Sequence, residues 1–314
     1  MEYSGFATFH GVLMTARLGD NDDDSVLSFP RNGPTVLRIL LGTRLRRLRQ
    51  AKGVSRERAG EVIRASHTKI SRLELGRVGF KRRDLADLLT LYGVTDPYER
   101  DSLFELAEKA STPGWWHRYG DVLPPWFEVY VGLEDAASAI RAYELQFVPG
   151  LLQCRSYARA VILLEHHTAS PDEVEHRVAL RMARQERLLR DDALRLWAVV
   201  DEAVLRREIG GRHVLREQIE HLLALIERPN IIFQVLPFDH GGHAAAGGPF
   251  TILRFPVPEL PDVVYLEQLT SSLYLDKAED AVHYSRIMDR VCMEAMTAPT
   301  SRRFLRNVHR GLAD

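Results

Sequence analysis

The sequence predicts a mainly α N-terminal domain of five short helices, followed by an α+β domain built on a mixed sheet of about four strands. Three observations carry this reading. Between residues 35 and 110, apolar residues recur three and four apart, the helical period, and are punctuated by Gly53, Gly76, Gly93 and Pro97. From about residue 194 onward, dense apolar runs with strand character alternate with helical periods. The charge is also uneven. Residues 38–83 hold 15 Lys+Arg against 3 Asp+Glu, whereas the whole chain carries a net charge of −1.

Composition narrows the classes. With 314 residues, 45% hydrophobic and 27% charged, the chain is neither collagenous, nor wholly disordered, nor a coiled-coil rod. No run of 18 apolar residues occurs, so no membrane span is expected. Met1-Glu2 opens no secretory signal pattern, and Cys154 and Cys292 are too few for a disulfide framework. A reducing, cytoplasmic setting is therefore expected. A compact basic block on an acidic body is the electrostatic footprint of a nucleic-acid module. A solvated face or a protein interface would look similar.

Residues 1–34 read as a flexible N-terminal extension, with an acidic run at Asp20-Asn21-Asp22-Asp23-Asp24 and breakers at Pro30 and Gly33-Pro34. Met14 offers an alternative start. In the first helix, Leu37, Leu41, Leu45 and Leu48 form one stripe, with Arg38, Arg44, Arg46, Arg47 and Arg49 on the other faces and Gly53 as C-cap. Ser55 caps a short second helix, Arg56 to about Ile63. Arg64-Ala65 is the turn, and Ser66 caps a third helix to about Leu75, stopped by Gly76. Leu85, Leu88, Leu89 and Tyr92 mark the fourth helix. Leu103, Leu106 and Ala110 mark the fifth.

Ser111-Thr112-Pro113-Gly114 reads as a boundary, which makes residues 111–314 a second domain. Trp115, Trp116 and Trp126 follow, either docking the connector or forming a ligand-facing aromatic box. Leu133 to Ile140 and Tyr157 to Glu165 read as helices. Ser170-Pro171-Asp172-Glu173 opens another, to about Arg190, with a capping box. Leu194–Val200, Ile231–Leu236, Phe250–Phe255 and Val263–Glu267 read as strands. The helix carrying Leu215, Ile219, Leu222 and Ile226 stops before Pro229, and one from about Lys277 to Met296 ends the domain.

Val54 to Arg77 carries the most chemistry. Two short capped helices join at a tight turn, with small Ala59 and Gly60 where they would cross. A recognition helix must present several hydrogen-bonding side chains near its N-terminus on one face, so that they reach base edges in the major groove. His67, Thr68 and Arg72 meet that need, with Lys69 and Ser71 beside them. Ile70 and Leu73 would face the core.

On these residues, about 35–110 resembles the repressor-type helix-turn-helix domain of the lambda and Cro folds, the xenobiotic-response-element (XRE) type. Ser55 opens its second helix, Ala59 fills its small position, and Ile70-Ser71-Arg72-Leu73-Glu74-Leu75-Gly76 resembles its recognition-helix ending. The resemblance implies base contacts from His67, Thr68 and Arg72, and phosphate contacts from Arg56, Ser66, Lys69 and Arg77, with Ser71 in the same DNA-facing set. It also implies an internal ion pair between Arg49 and Glu74. Gly60 stands where many members carry alanine, and Lys69 where a small polar residue is common.

The chain after residue 34 further resembles an actinobacterial, antitoxin-like group of such regulators with a C-terminal domain of unknown function. The carrying residues are Gly114-Trp115-Trp116, Tyr143 to Gln153, Arg184-Gln185, Asp201 to Arg206, Val235-Leu236-Pro237 and Gly248-Pro249-Phe250. That resemblance implies a small partner protein encoded nearby.

Arg177, Arg181, Arg184 and Arg187 lie at helical spacing, and would either grip an anion or form a solvated face with Glu173 and Glu186. Asp239, His240 and His243 lack a fourth metal ligand and read as a strand connection. No P-loop, GxGxxG, HExxH or GxSxG pattern occurs. Cys154 and Cys292 read as buried thiols. The expectation is a homodimeric regulator of transcription on double-stranded DNA, not an enzyme, without cofactor, metal or membrane. Residues 111–314 would dimerise and bind an effector or a small partner protein. The alternatives are an antitoxin-like interaction protein whose DNA binding is only autoregulation, and a DNA-tethered enzyme.

Overall fold

The computed structural model describes residues 34–190, 192–256, 260–269 and 271–312. The extension read over residues 1–34, including Met14 and the acidic run, lies outside the described residues except for Pro34.

Five helices follow the expected periods: α1 (Pro34–Ala51), α2 (Arg56–Val62), α3 (His67–Glu74), α4 (Arg82–Leu91) and α5 (Pro97–Ser111). Their ends are set locally. Ser55 Oγ accepts from the Arg58 amide and Ser66 Oγ from the Lys69 amide, which satisfies donors that a helix start leaves free. Gly53, Gly76 and Gly93 end helices at φ of +67°, +65° and +77°, a region that costs glycine little. Leu41, Leu45, Ile70, Leu73, Leu85, Leu88 and Leu89 are buried.

The first helix has a second allegiance. Val36 is fully buried in the core of the following domain, and Ile39 and Leu40 pack against that core. Arg38, expected on a face other than the leucine stripe, is half-buried there, and its Nη2 donates to Thr35 Oγ1 at 3.1 Å. Burial lowers the pKa of its guanidinium. A Cβ at Gly132 would collide with the Thr35 side chain, so a glycine is needed where the two domains meet.

That domain runs α6 (Pro125–Ala136), β1 (Ala139–Glu144), α7 (Arg155–Glu165), α8 (Pro171–Gln185), β2 (Arg195–Asp201), α9 (Arg212–Leu225), β3 (Ile231–Leu236), β4 (Phe250–Arg254), β5 (Val263–Glu267), β6 (Ser272–Leu275), α10 (Ala278–Glu294) and α11 (Ala298–Gly311). The strands form one mixed sheet of order β3-β2-β1-β4-β5-β6. The pairs β1–β2 and β2–β3 are parallel; β1–β4, β4–β5 and β5–β6 are antiparallel. Period-two alternation divides the side chains between two faces. Ile140, Leu196, Ala198, Val200, Phe233 and Val235 join α9 and α11 in one cluster. Tyr143, Val199, Leu236, Ile252 and Val264 meet α10 on the other face.

The class is as expected, but the sheet has six strands rather than about four. Residues 139–144 are a central strand and not the end of a helix. Ala137 leaves the helix at ψ 141°, and Ile140 and Ala142 then point to one face and Tyr143 to the other. The charges of Arg141 and Glu144 dilute the apolar density that would announce a buried strand. β6 is a short edge strand with partly exposed residues. The domain also continues past Met296. Ala295 breaks α10 at ψ 158°, and Thr297 caps α11 through the Thr300 amide. The arginines of α11 outnumber its apolar anchors, Phe304, Leu305 and Val308, which hides its period.

Candidate nucleic-acid interface

The small N-terminal core holds α3 by its inner side. Ile70 is 1% and Leu73 2% exposed, and Glu74 is buried with them. Glu74 is the polar keystone. Arg49 donates to its Oε1 at 2.5 Å (Nε) and to its Oε2 at 3.1 Å (Nη2), and reaches the Val54 carbonyl at 2.8 Å. A bidentate arginine–carboxylate pair is both strong and directional. Its hydrogen bond to Glu74 raises the pKa of the Arg49 guanidinium. The pair implied by the resemblance is therefore formed, and it fixes α3 against α1.

Close backbone approaches set the rest. A Cβ on Gly42 would sit 2.5 Å from the Leu73 carbonyl oxygen, and one on Gly60 would sit 2.6 Å from the Ala65 carbonyl oxygen. Gly60, where alanine is common in the family resembled, thus lets α2 press on the turn that launches α3. Inside that turn Arg64 has φ +54°, the left-handed region that a residue with a Cβ adopts at a cost.

What this scaffold presents is the outer face of α3. Ser66, His67, Thr68 and Arg72 are exposed, as is Arg77 after the helix, while Ser71 is half-buried. His67 Nε2 and Thr68 Oγ1 lie 3.5 Å apart. Among the described residues no carboxylate pairs with Arg72 or Arg77. Two members of the expected set are partly engaged. Lys69 Nζ donates to Asp84 Oδ2 at 2.7 Å, and Arg56 Nε donates to Glu74 Oε2 at 3.2 Å, leaving its two terminal nitrogens available. Lys69 therefore ties α3 to α4. Arg64 in the turn and Lys81, Arg82 and Arg83 at the start of α4 are exposed cations that the motif reading did not single out.

The basic row on α8 and the turn that follows it has another fate. Arg184 grips Glu134 with Nε and Nη2 at 2.7 and 2.8 Å, and both partners are buried. Arg187 donates to the Ala137 carbonyl. Arg177 bonds Glu173 and the Val122 carbonyl. These side chains bind α8 to its neighbours and do not form a solvated face.

Trp115 Nε1 donates to Asp135, and Trp116 is fully buried, so both dock the connector. Trp126 instead lines a cavity. His243 sits 3.1 Å from the Tyr143 hydroxyl and His240 3.8 Å from Glu294. Cys154 and Cys292 are free, buried thiols.

Residues 40–103 match the family described as Helix-turn-helix domain, and residues 127–307 match the family described as Domain of unknown function (DUF5753), which spans more than half of the chain. No curated protein and no solved structure matches the chain. The N-terminal helices are a helix-turn-helix region, an arrangement that supports DNA binding, set ahead of an α+β domain of unknown function, and no described helix is long and apolar enough to cross a membrane.

Proposed function

The chain belongs to the family described as Domain of unknown function (DUF5753), and we propose that it is a sequence-specific regulator of transcription that works as a homodimer in the cytoplasm. The observation that carries this reading is α3: one side is locked by Ile70, Leu73 and the Arg49–Glu74 pair, and the other offers His67, Thr68 and Arg72 to a groove. His67, Thr68 and Arg72 contact bases. Ser66, Arg56, Arg77 and Lys69 contact phosphates beside Ser71, with Lys69 competing for Asp84. The Arg49–Glu74 pair favours the XRE type, and the motif residues of the C-terminal domain favour the antitoxin-like group.

In this reading residues 111–314 regulate and do not catalyse: they pair two copies and bind an effector or a small partner protein. The placement of α1 supports such coupling, because one helix belongs to both cores. A selection of random duplexes on the full-length chain tests the proposal. The enriched sequences contain two inverted half-sites about 34–36 Å apart, the spacing that a two-fold dimer imposes. A pool that stays unenriched contradicts it.

A further inference from the structure

A cavity of about 90 Å³ opens between α6, α7, α8 and the end of β5, with Trp126, Phe127, Ile162, Leu180, Arg181 and Glu267 in its wall. One ordered water needs about 10–15 Å³ of such volume, so the space admits several water-sized groups, the scale of a small organic ligand.

The charges around it are unequally satisfied. Arg184 is neutralised by Glu134 and Arg177 by Glu173. Arg181 makes one hydrogen bond, from Nη1 to Gln153 Oε1 at 2.9 Å, and no carboxylate among the described residues lies within ion-pair distance of it. Burial pushes its pKa down to about 10, as expected of a guanidinium held in a poorly hydrated place. The anchor is rigid. Gln153 Nε2 donates to the Val148 carbonyl at 2.7 Å, and Gln185 holds the Gly150 and Gln153 carbonyls at 3.0 and 2.7 Å. At the exposed side stand two carboxylates, Glu165 and Glu267, of which Glu267 Oε2 accepts from the Tyr265 hydroxyl.

One half-buried cation with spare donors, two carboxylates at the rim, of which Glu165 also lies 3.8 Å from His166 Nε2, and apolar walls between them suit a ligand bearing both charges. A dianion such as phosphate meets the rim carboxylates, a bare amine leaves Arg181 unanswered, and a plain carboxylate leaves the rim unanswered. We propose that this cavity binds a small free amino acid, its carboxylate on Arg181, its ammonium toward Glu165 and Glu267, and its short side chain against Trp126, Ile162 and Leu180. The regulatory meaning rests on reading residues 111–314 as an effector domain: α6 forms one wall and also packs on α1.

Calorimetric titration of the full-length chain tests the site, with glycine, L-alanine, L-serine, L-proline and L-valine as probes and propionate, ethylammonium and inorganic phosphate as comparison arms. At least one amino acid binds saturably, propionate is weaker by about tenfold or more, and the other two show no saturation. Arg181→Met loses binding and Arg181→Lys keeps part of it. Glu165→Gln, at an exposed position, narrows the gap between amino acid and propionate. Should Arg181→Met fail to fold, the lysine and Glu165 variants decide. No saturable amino-acid binding up to about 10 mM, or phosphate bound more tightly than every amino acid, or unchanged affinity in Arg181→Lys and Glu165→Gln together, overturns the proposal. No DNA is present in this titration, so its failure leaves the effector reading open. Amino-acid binding that leaves operator affinity unchanged would remove the effector role and keep the site.

Discussion

Helices α3 and α8 both carry basic residues at helical spacing, and the fold uses them in opposite ways. On α3, Arg72 stands exposed without a carboxylate partner among the described residues. On α8, Arg184 is 7% exposed and clamped to Glu134, fifty residues away along the chain. The two rows differ in what faces them. α6 and the Gly150–Gln153 segment bring a carboxylate and carbonyls to α8, whereas on α3 only Lys69, at the margin, meets a carboxylate, Asp84, and His67, Thr68 and Arg72 meet none among the described residues. Basic spacing alone does not distinguish a ligand-facing row from an internal clamp. The location of the opposing carboxylates does.

The comparison can be broken most violently with salt. Arginines facing DNA release counterions from phosphates, and arginines locked inside the fold do not. With the basic block of residues 38–83 on each copy, operator affinity falls by about 10³–10⁵ between 50 and 200 mM salt, as for roughly 6–10 phosphate contacts. A flat log–log plot from fluorescence anisotropy would place α3 in the same class as α8.

The clamp is tested by removing one side of it. Arg184→Met leaves Glu134 buried and unpaired, which costs about 3–5 kcal/mol of folding stability, while adding Glu134→Leu restores much of the loss. Arg72→Ala leaves the unfolding midpoint where it was. Chemical denaturation with a far-UV and a tryptophan probe gives both numbers. Because Val36 sits in the second core, the helix-turn-helix region and the sheet domain of Arg184→Met lose structure together rather than in two steps.

A smaller effect sharpens the picture of how α3 is launched. The left-handed backbone at Arg64 costs a residue with a Cβ about 1–2 kcal/mol, and glycine's greater freedom when unfolded takes back about 0.5–1. Arg64→Gly therefore stabilises the protein by about 0.5–1 kcal/mol, seen as a raised melting temperature. A lowered one would mean that the Arg64 side chain supports the turn.

The same contrast explains what was legible in the sequence. The helix-turn-helix region is written in short-range signals: Ser55 and Ser66 lie three residues before the amides they cap, and Gly53 and Gly76 sit where their helices stop. The sheet domain depends on partners far away. Arg141 looks out of place in a strand until Asp289 and the Trp197 ring are brought to it, and Glu134 reads as an ordinary surface acid until Arg184 arrives. Edge strand β6 and arginine-rich α11 have too few apolar anchors to announce themselves. Within the candidate interface, the face of α3 was legible from spacing. The diversion of Arg38 to the domain junction and of Lys69 to Asp84 was not, because Arg38 is buried by the domain packed on α1 and Asp84 comes from α4.

The central claim is that α3 reads sequence. It is tested most directly by measuring the affinity of the full-length chain for its selected operator and for a scrambled duplex, in wild type, Arg72→Ala and Arg56→Ala. Arg72→Ala is expected to cost about 1–3 kcal/mol on the operator and almost nothing on the scrambled duplex, while Arg56→Ala weakens both alike. Equal losses on the two duplexes for Arg72→Ala would contradict base readout by this helix.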